Sequence, residues 1–234
     1  LDKFLITLTK SYKNDKTMYH TTLHATDVCY SLYSILLNIK NDKEFTIITD
    51  EDILALIIGS LAHDVGHPGY SADFLIKTKN ELSLIYNDIN ILENFHCYQL
   101  FKILSDINLN IFDKLDKKEL QFAEISHKHK KFVISLKWTE FLFNEFFREG
   151  DKTKELGFEC PPHIDRLKMD VPNGQLNFIS TFSMPMIQEL ANIYPKLEFL
   201  RDNGNDNLKR WKNLAEQKRK RGWTPEKNEV NKSD

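Results

Sequence analysis

His20 and His24 stand four residues apart in an apolar-periodic stretch, a spacing that on a helix projects two imidazoles from one face. Further along, His63 and Asp64 are adjacent at the end of the apolar run Ile53–Leu61, which would carry them into the interior. Where the backbone leaves helical geometry, two neighbouring side chains can reach one point, and a carboxylate from a third helix would complete a ligand set. Mixed imidazole and carboxylate donors suit zinc, iron or manganese, and a carboxylate can bridge two metals where an imidazole cannot. The same residues also read as a polar helix face and a buried His-Asp pair, although burying such a pair without partners is costly. Spacing alone leaves both readings open.

Helices must position these groups. Only eight Gly and seven Pro occur, with no Asn-Gly hairpin between alternating strands and no internal repeat, so the fold class is all-α, a compact multi-helix bundle. Met18–Lys40 carries apolar residues at 23, 28, 32, 35, 36 and 39, the pattern of an amphipathic helix. A second helix is predicted to start at Thr49, whose hydroxyl precedes a run of acids, and to stop near Gly66-His67-Pro68-Gly69. Ser71–Lys77, Ile91–Ser105 and Asp116–Ile125 read as shorter helices, and Lys131–Glu149 as a strongly aromatic one. Asp151–Gly174 reads as a loop, Gln175–Tyr194 as a helix interrupted at Pro185, and Leu208–Arg219 as a last helix. One domain over 1–217 and a polar tail over 218–234 are expected.

Composition narrows the function. Apolar residues make up 41% and charged residues 28%, an ordinary globular mixture, and sixteen Phe exclude general disorder. Thirty-two basic against thirty-four acidic side chains leave a formal charge of −2, so no whole-chain field draws nucleic acid or anionic lipid. Three scattered cysteines, Cys29, Cys97 and Cys160, form neither a disulfide framework nor a thiolate zinc site and point to a cytoplasmic, reducing compartment. No apolar run reaches the ~20 residues of a membrane span, which excludes membrane contact by this segment. The chain begins at Leu1 rather than Met, as a piece of a longer protein would, which leaves any membrane anchor to segments upstream.

Tyr19-His20-Thr21-Thr22-Leu23-His24-Ala25-Thr26-Asp27-Val28 and Ala62-His63-Asp64-Val65-Gly66-His67-Pro68-Gly69 resemble the two signature motifs of the class I cyclic nucleotide phosphodiesterases. Further blocks follow in family order: Asn80-Glu81-Leu82, Tyr86-Asn87-Asp88, Leu92–His96, Trp138-Thr139, Glu145–Asp151, Gln175–Ile179 and Trp211…Leu214–Gln217. The resemblance implies a two-metal hydrolase that opens the cyclic phosphate of cAMP or cGMP to the 5′-monophosphate. His24, His63 and Asp64 match metal ligands, with zinc in the first position, magnesium or manganese in the second, and Asp64 bridging. A hydroxide held between the metals would be the nucleophile, which suits a clamp that lowers the pKa of water toward ~7. His20 matches the general acid for the departing O3′, and His67, Glu93 and His96 match groups that orient the metal's surroundings. Gln175 matches the glutamine that reads the purine edge, Phe178 the ring that stacks on it, and Leu142 the opposite apolar wall. Without the resemblance Tyr19, Leu142 and Phe178 read as core.

Between Asp116 and His127 the chain departs from the family pattern. A stretch long enough for two or three helices is absent, including a Thr-Asp segment that helps hold the second metal's waters. Counting back from Trp138, Glu124 falls where the family carries an aspartate ligand, which would make it the fourth metal residue. The extra methylene moves the oxygens by about 1 Å, where ligand geometry needs roughly 0.5 Å. The absent helices would leave apolar faces of their neighbours uncovered. Two functional readings follow: a cyclic nucleotide hydrolase, with a lean to cGMP from the Trp211–Gln217 block, or a phosphodiesterase-like binding or interaction module of weak or no turnover.

Overall fold

A computed structural model describes residues 1–12, 14–42, 49–111 and 130–221; Glu124 and the helix predicted over Asp116–Ile125 lie outside these. The described residues form ten α-helices and no strand: α1 Asp2–Ser11, α2 Thr22–Ile39, α3 Asp50–Ala62, α4 Ala72–Lys77, α5 Glu81–Ile85, α6 Ile91–Leu104, α7 Phe132–Glu155, α8 Val171–Phe178, α9 Met184–Ile193 and α10 Glu198–Arg221. The all-α expectation holds.

Local chemistry accounts for the helix starts. Thr49 caps α3 through a reciprocal box, its hydroxyl accepting from Asp52 N–H while the Asp52 carboxylate accepts from Thr49 N–H. Ser71 caps α4 and Thr21 caps α2 in the same one-sided way, each hydroxyl accepting an N–H three residues on. The loop between α3 and α4 turns on Gly66 and Gly69, both at φ +78°, where a Cβ would be strained; at Gly69 it would also meet Lys16 O at 2.9 Å.

Four apolar clusters hold the bundle. Phe4 and Leu8 of α1 and Tyr12 just after it pack with Ile58 and Ala62 of α3 and Leu100 and Leu104 of α6. Leu36 and Ile39 of α2 pack with Ile187 of α9 and Leu197 and Leu200. Trp211 of α10, fully buried, joins Phe132 of α7 and Ile179. Phe74 and Leu75 of α4 close on Ile91 of α6.

Three expectations are corrected. The helix predicted over Met18–Lys40 starts only at Thr22, so Tyr19 and His20 precede it and His20 does not share a helical face with His24. The α7 helix continues through Asp151 to Glu155, and within that extension Thr153 is buried and its hydroxyl donates back to Glu149 O. Pro185 does not end the C-terminal helical run: α8, a π turn over Ile179–Ser183 and α9 follow one another without a gap, and Pro185 is the second residue of α9, directly after the π turn.

On α2 the apolar pattern is not one buried stripe. Leu23, Tyr30, Tyr33 and Leu37 are 63%, 65%, 50% and 43% exposed and lie along one side of the helix.

Candidate active site

Two of the predicted metal residues leave α3 together. His63 is the residue after Ala62, and its Nδ1 donates to Ser60 O at 2.9 Å, so its Nε2 presents a lone pair. That Nε2 lies 2.9 Å from Asp64 Oδ2 and 3.2 Å from His24 Nε2, and His24 Nε2 is 3.4 Å from the same carboxylate oxygen. The three donor atoms lie within 4.8 Å of one another, and His24 and Asp64 are buried. Three lone pairs converging in a buried site repel one another unless a positive charge stands between them, and two imidazoles with a carboxylate are a donor set for a divalent metal. The residues therefore fit a metal.

Tyr12, the residue after α1, supports this cluster. Its hydroxyl donates to Leu61 O at 2.9 Å and accepts from Asp64 N–H at 3.3 Å. Burial pushes the Asp64 carboxyl up, but the His24 and His63 imidazoles outweigh it and hold it well below the usual carboxylate range. Burial likewise holds His24 and His96 below the ordinary imidazole value. His96 donates from Nδ1 to Val65 O at 2.9 Å and turns Nε2 toward Asp64 Oδ1, 3.9 Å away.

Beside this set stands a second one. His20 Nδ1 is paired with Glu145 Oε1, and the other oxygen of Glu145 accepts from the N–H groups of Met18 and Tyr19 at 2.8 and 3.0 Å. Burial alone would lower the His20 pKa, but the Glu145 bond and the Asp64 charge raise it above the ordinary value. Burial would raise Glu145, and the His20 bond instead brings it down to about 2. His67 stacks on His20 with ring centroids 3.7 Å apart, and its Nδ1 accepts from Gly69 N–H at 3.0 Å. Burial and the neighbouring His20 charge push His67 down to about 3, so it stays neutral. Tyr19 is buried over His24, its ring edge-on to His20 and Trp138.

The remaining predicted residues are placed less tightly. Gln175, on α8, is buried with its Oε1 3.4 Å from Thr139 Oγ1 of α7. Phe178 is 38% exposed one turn further along α8, and Leu142 is half-buried on α7. Glu93 is exposed in the first turn of α6 and belongs to neither histidine cluster. Glu145 lies within the Glu145–Asp151 family block, but residue type and spacing give it no role. The available signal was an acid among Phe141, Phe143, Phe146 and Phe147, on a helix whose apolar surroundings leave an unpartnered carboxylate no stable place.

The family model described as 3′5′-cyclic nucleotide phosphodiesterase matches residues 19–122 and 120–204. The chain belongs to that family. Its two matched stretches meet at 120–122, inside the segment that departs from the family pattern. The chain is 29% identical over 242 residues to the human dual specificity calcium/calmodulin-dependent 3′,5′-cyclic nucleotide phosphodiesterase 1B, covering 84% of this chain and 45% of the relative. It is 28% identical to the Caenorhabditis elegans probable 3′,5′-cyclic-AMP phosphodiesterase pde-4, covering 87% of this chain and 38% of that one. The chain thus spans under half the length of either curated relative. Its fold is that of the phosphodiesterase domain of Salpingoeca rosetta rhodopsin phosphodiesterase, with a TM-score of 0.82 and 24% identity over 94% of this chain and 82% of the other. No helix among the described residues is long and apolar enough to cross a membrane.

Proposed function

We propose that the chain hydrolyses a 3′,5′-cyclic nucleotide to the 5′-monophosphate, with His20 as general acid. The observation that carries this reading is a metal-competent donor set, His24, His63 and Asp64, packed beside a histidine whose pKa a buried carboxylate raises. In this reading His24, His63 and Asp64 would hold the divalent metals, zinc with magnesium or manganese, and Glu124 would supply a further carboxylate. Bound divalent metals supply an acidified water and neutralise charge on the phosphoryl oxygens.

The protein's own groups do the rest. Glu145 takes His20 Nδ1, so the other ring nitrogen, Nε2, faces the substrate and gives its proton to the departing O3′. The His20 bond, helped by the Met18 and Tyr19 N–H groups, keeps Glu145 ionised, and the ionised carboxylate in turn raises the His20 pKa and favours its proton-bearing form. His67 and His96, kept neutral by burial, shape the polar wall without competing for that proton. Gln175 presents donor and acceptor to the purine edge, Phe178 offers its open ring face, and Leu142 forms the opposite wall. One relative is named as dual specificity and another for cyclic AMP, which supports a cyclic nucleotide without choosing the base. The Trp211–Gln217 block leans to cGMP.

The second reading, a binding module with little turnover, draws on the exposed apolar side of α2. Purified protein with added zinc and magnesium separates the two. The hydrolase releases 5′-monophosphate, and His20→Ala lowers kcat by about 10²–10⁴-fold while metal content is unchanged. Release no faster than a blank would sink the hydrolase.

A further inference from the structure

His20 and His67 face each other as parallel rings, yet they come from separate segments, and neither segment is regular secondary structure. The His67 segment is also intrinsically loose. It holds two glycines in the left-handed region, so local backbone preference does not fix its course. Something outside the segment must hold it. At its Asp64 end it hangs from α3, and in the middle the Asn14 amide donates to His67 O at 2.8 Å. Its far end is Ser71, whose N–H and hydroxyl donate to the two oxygens of Glu149 at 2.5 and 2.6 Å.

Glu149 is buried, and its carboxylate spends both oxygens on this one residue. It lies one turn beyond Glu145 on α7, which holds His20. Between them, Arg148 donates from Nη1 to Lys16 O at 3.0 Å, on the segment leading to His20, and Lys16 O in turn abuts Gly69. A single turn of α7 therefore grips both strands of chain that carry the stacked rings. A cavity of about 190 Å³ is lined by His20, His67, Ser71, Glu145 and Glu149 together, so the two carboxylates, the clamped serine and the stacked rings border one space.

We infer that Glu149 is a positioning residue, acting through Ser71 to seat His67 against the proton-donating His20. The inference rests on the reading of His20 as general acid for its kinetic consequence, and not for its structural one. Glu149 needs only to accept one bond and meet one hydroxyl. A glutamine does both, accepting from Ser71 N–H and donating to Ser71 Oγ, whereas alanine does neither.

The test compares Glu149→Ala, Glu149→Gln and Ser71→Ala in the whole chain, by kinetics and by histidine-selective NMR of the His20 and His67 rings, assigned through His20→Asn and His67→Asn. Glu149→Ala lowers kcat by about 10–10²-fold with KM within about twofold, since misplacement near the reacting atoms is felt in turnover. It also shifts both ring signals. Glu149→Gln restores kcat to within about threefold of wild type and leaves the ring signals in place. If Glu149→Ala does not fold, Ser71→Ala, which removes one of the two bonds, carries the test with a smaller loss of kcat and the same direction of ring shift. Unchanged kcat and ring signals in Glu149→Ala, or in Ser71→Ala where the former is insoluble, overturn the inference. A wild-type chain without turnover whose ring signals still depend on Glu149 would retire the hydrolase reading and leave the clamp standing.

Discussion

His20 is held by Glu145, 125 residues later in the chain, and not by the helix that carries His24. The carboxylate accepts from His20 Nδ1 with one oxygen and from two backbone N–H groups of the same segment with the other, so it fixes both the ring and the loop that bears it. This is the orienting arrangement by which a buried acid sets the tautomer and charge of a working histidine.

Glu145→Gln should keep the shape of that contact and remove its charge. Glu145 raises the His20 pKa, so its neutral replacement lowers it. The acid form of His20 is then lost at a lower pH, and the alkaline limb of the kcat/KM profile moves downward. We expect a loss in kcat of about 10²-fold at pH 7.5 or above, shrinking as the pH is lowered. A profile with an unmoved alkaline limb would separate Glu145 from the proton donor.

Acid should destabilise the chelated protein through His67. Its folded pKa, about 3, lies below the ordinary imidazole value, so the unfolded chain binds the extra proton more readily. The stability from neutral His67 is complete above about pH 6.5 and is lost as pH falls toward 3. His20 has the opposite sign: its raised pKa contributes stability below about pH 6.5 that is lost as pH rises through the folded value. Urea midpoints of wild type and His67→Asn, measured in chelator from pH 8 to pH 5, should converge as the pH falls. Parallel curves would show that His67 is not held neutral.

Asp64→Asn should abolish the metal-dependent part of stability. The substitution keeps the volume and the backbone bond to Tyr12 but removes the charge that two imidazoles need for a cation. Zinc affinity should fall by about 10²-fold or more, and the rise in Tm on adding zinc should disappear. Equal zinc content in mutant and wild type, by elemental analysis after dialysis, would move the metal elsewhere.

Gly150→Ala should destabilise the protein through backbone packing. A Cβ at Gly150 would meet the Ile164 carbonyl oxygen at 2.0 Å and its carbon at 2.9 Å, both backbone atoms. Either the loop after α7 moves or the helix does, at a cost of about 3 kcal/mol. The check is a denaturant midpoint, which should fall relative to wild type; an unchanged midpoint would show that the Ile164 backbone yields without cost.

Much of this architecture is written in short stretches of chain. Thr49 and Ser71 mark helix starts because a hydroxyl is needed wherever the first N–H groups lose their carbonyl partners, and adjacent residues suffice to show it. His63 and Asp64 are legible as a pair because they are neighbours at the end of an apolar run, and the family motifs extend that reading to His24, Gln175 and Phe178. The four-residue spacing of His20 and His24 was a poorer guide. It suits a shared helical face, but Thr21 caps the helix between them, so the spacing is incidental.

What sequence determined by itself was the helical class, the capped starts at Thr49 and Ser71 and the neighbouring His63-Asp64 pair, since each depends on residue type and near neighbours. What only the tertiary structure decided was that Glu145 holds His20, that Glu149 grips the loop bearing His67, and that the apolar side of α2 faces outward. Those relationships join residues separated by long intervals of chain, and their energies arise from burial and from carboxylates facing imidazoles or N–H groups at short range. No local pattern encodes such distances; packing the helices creates them.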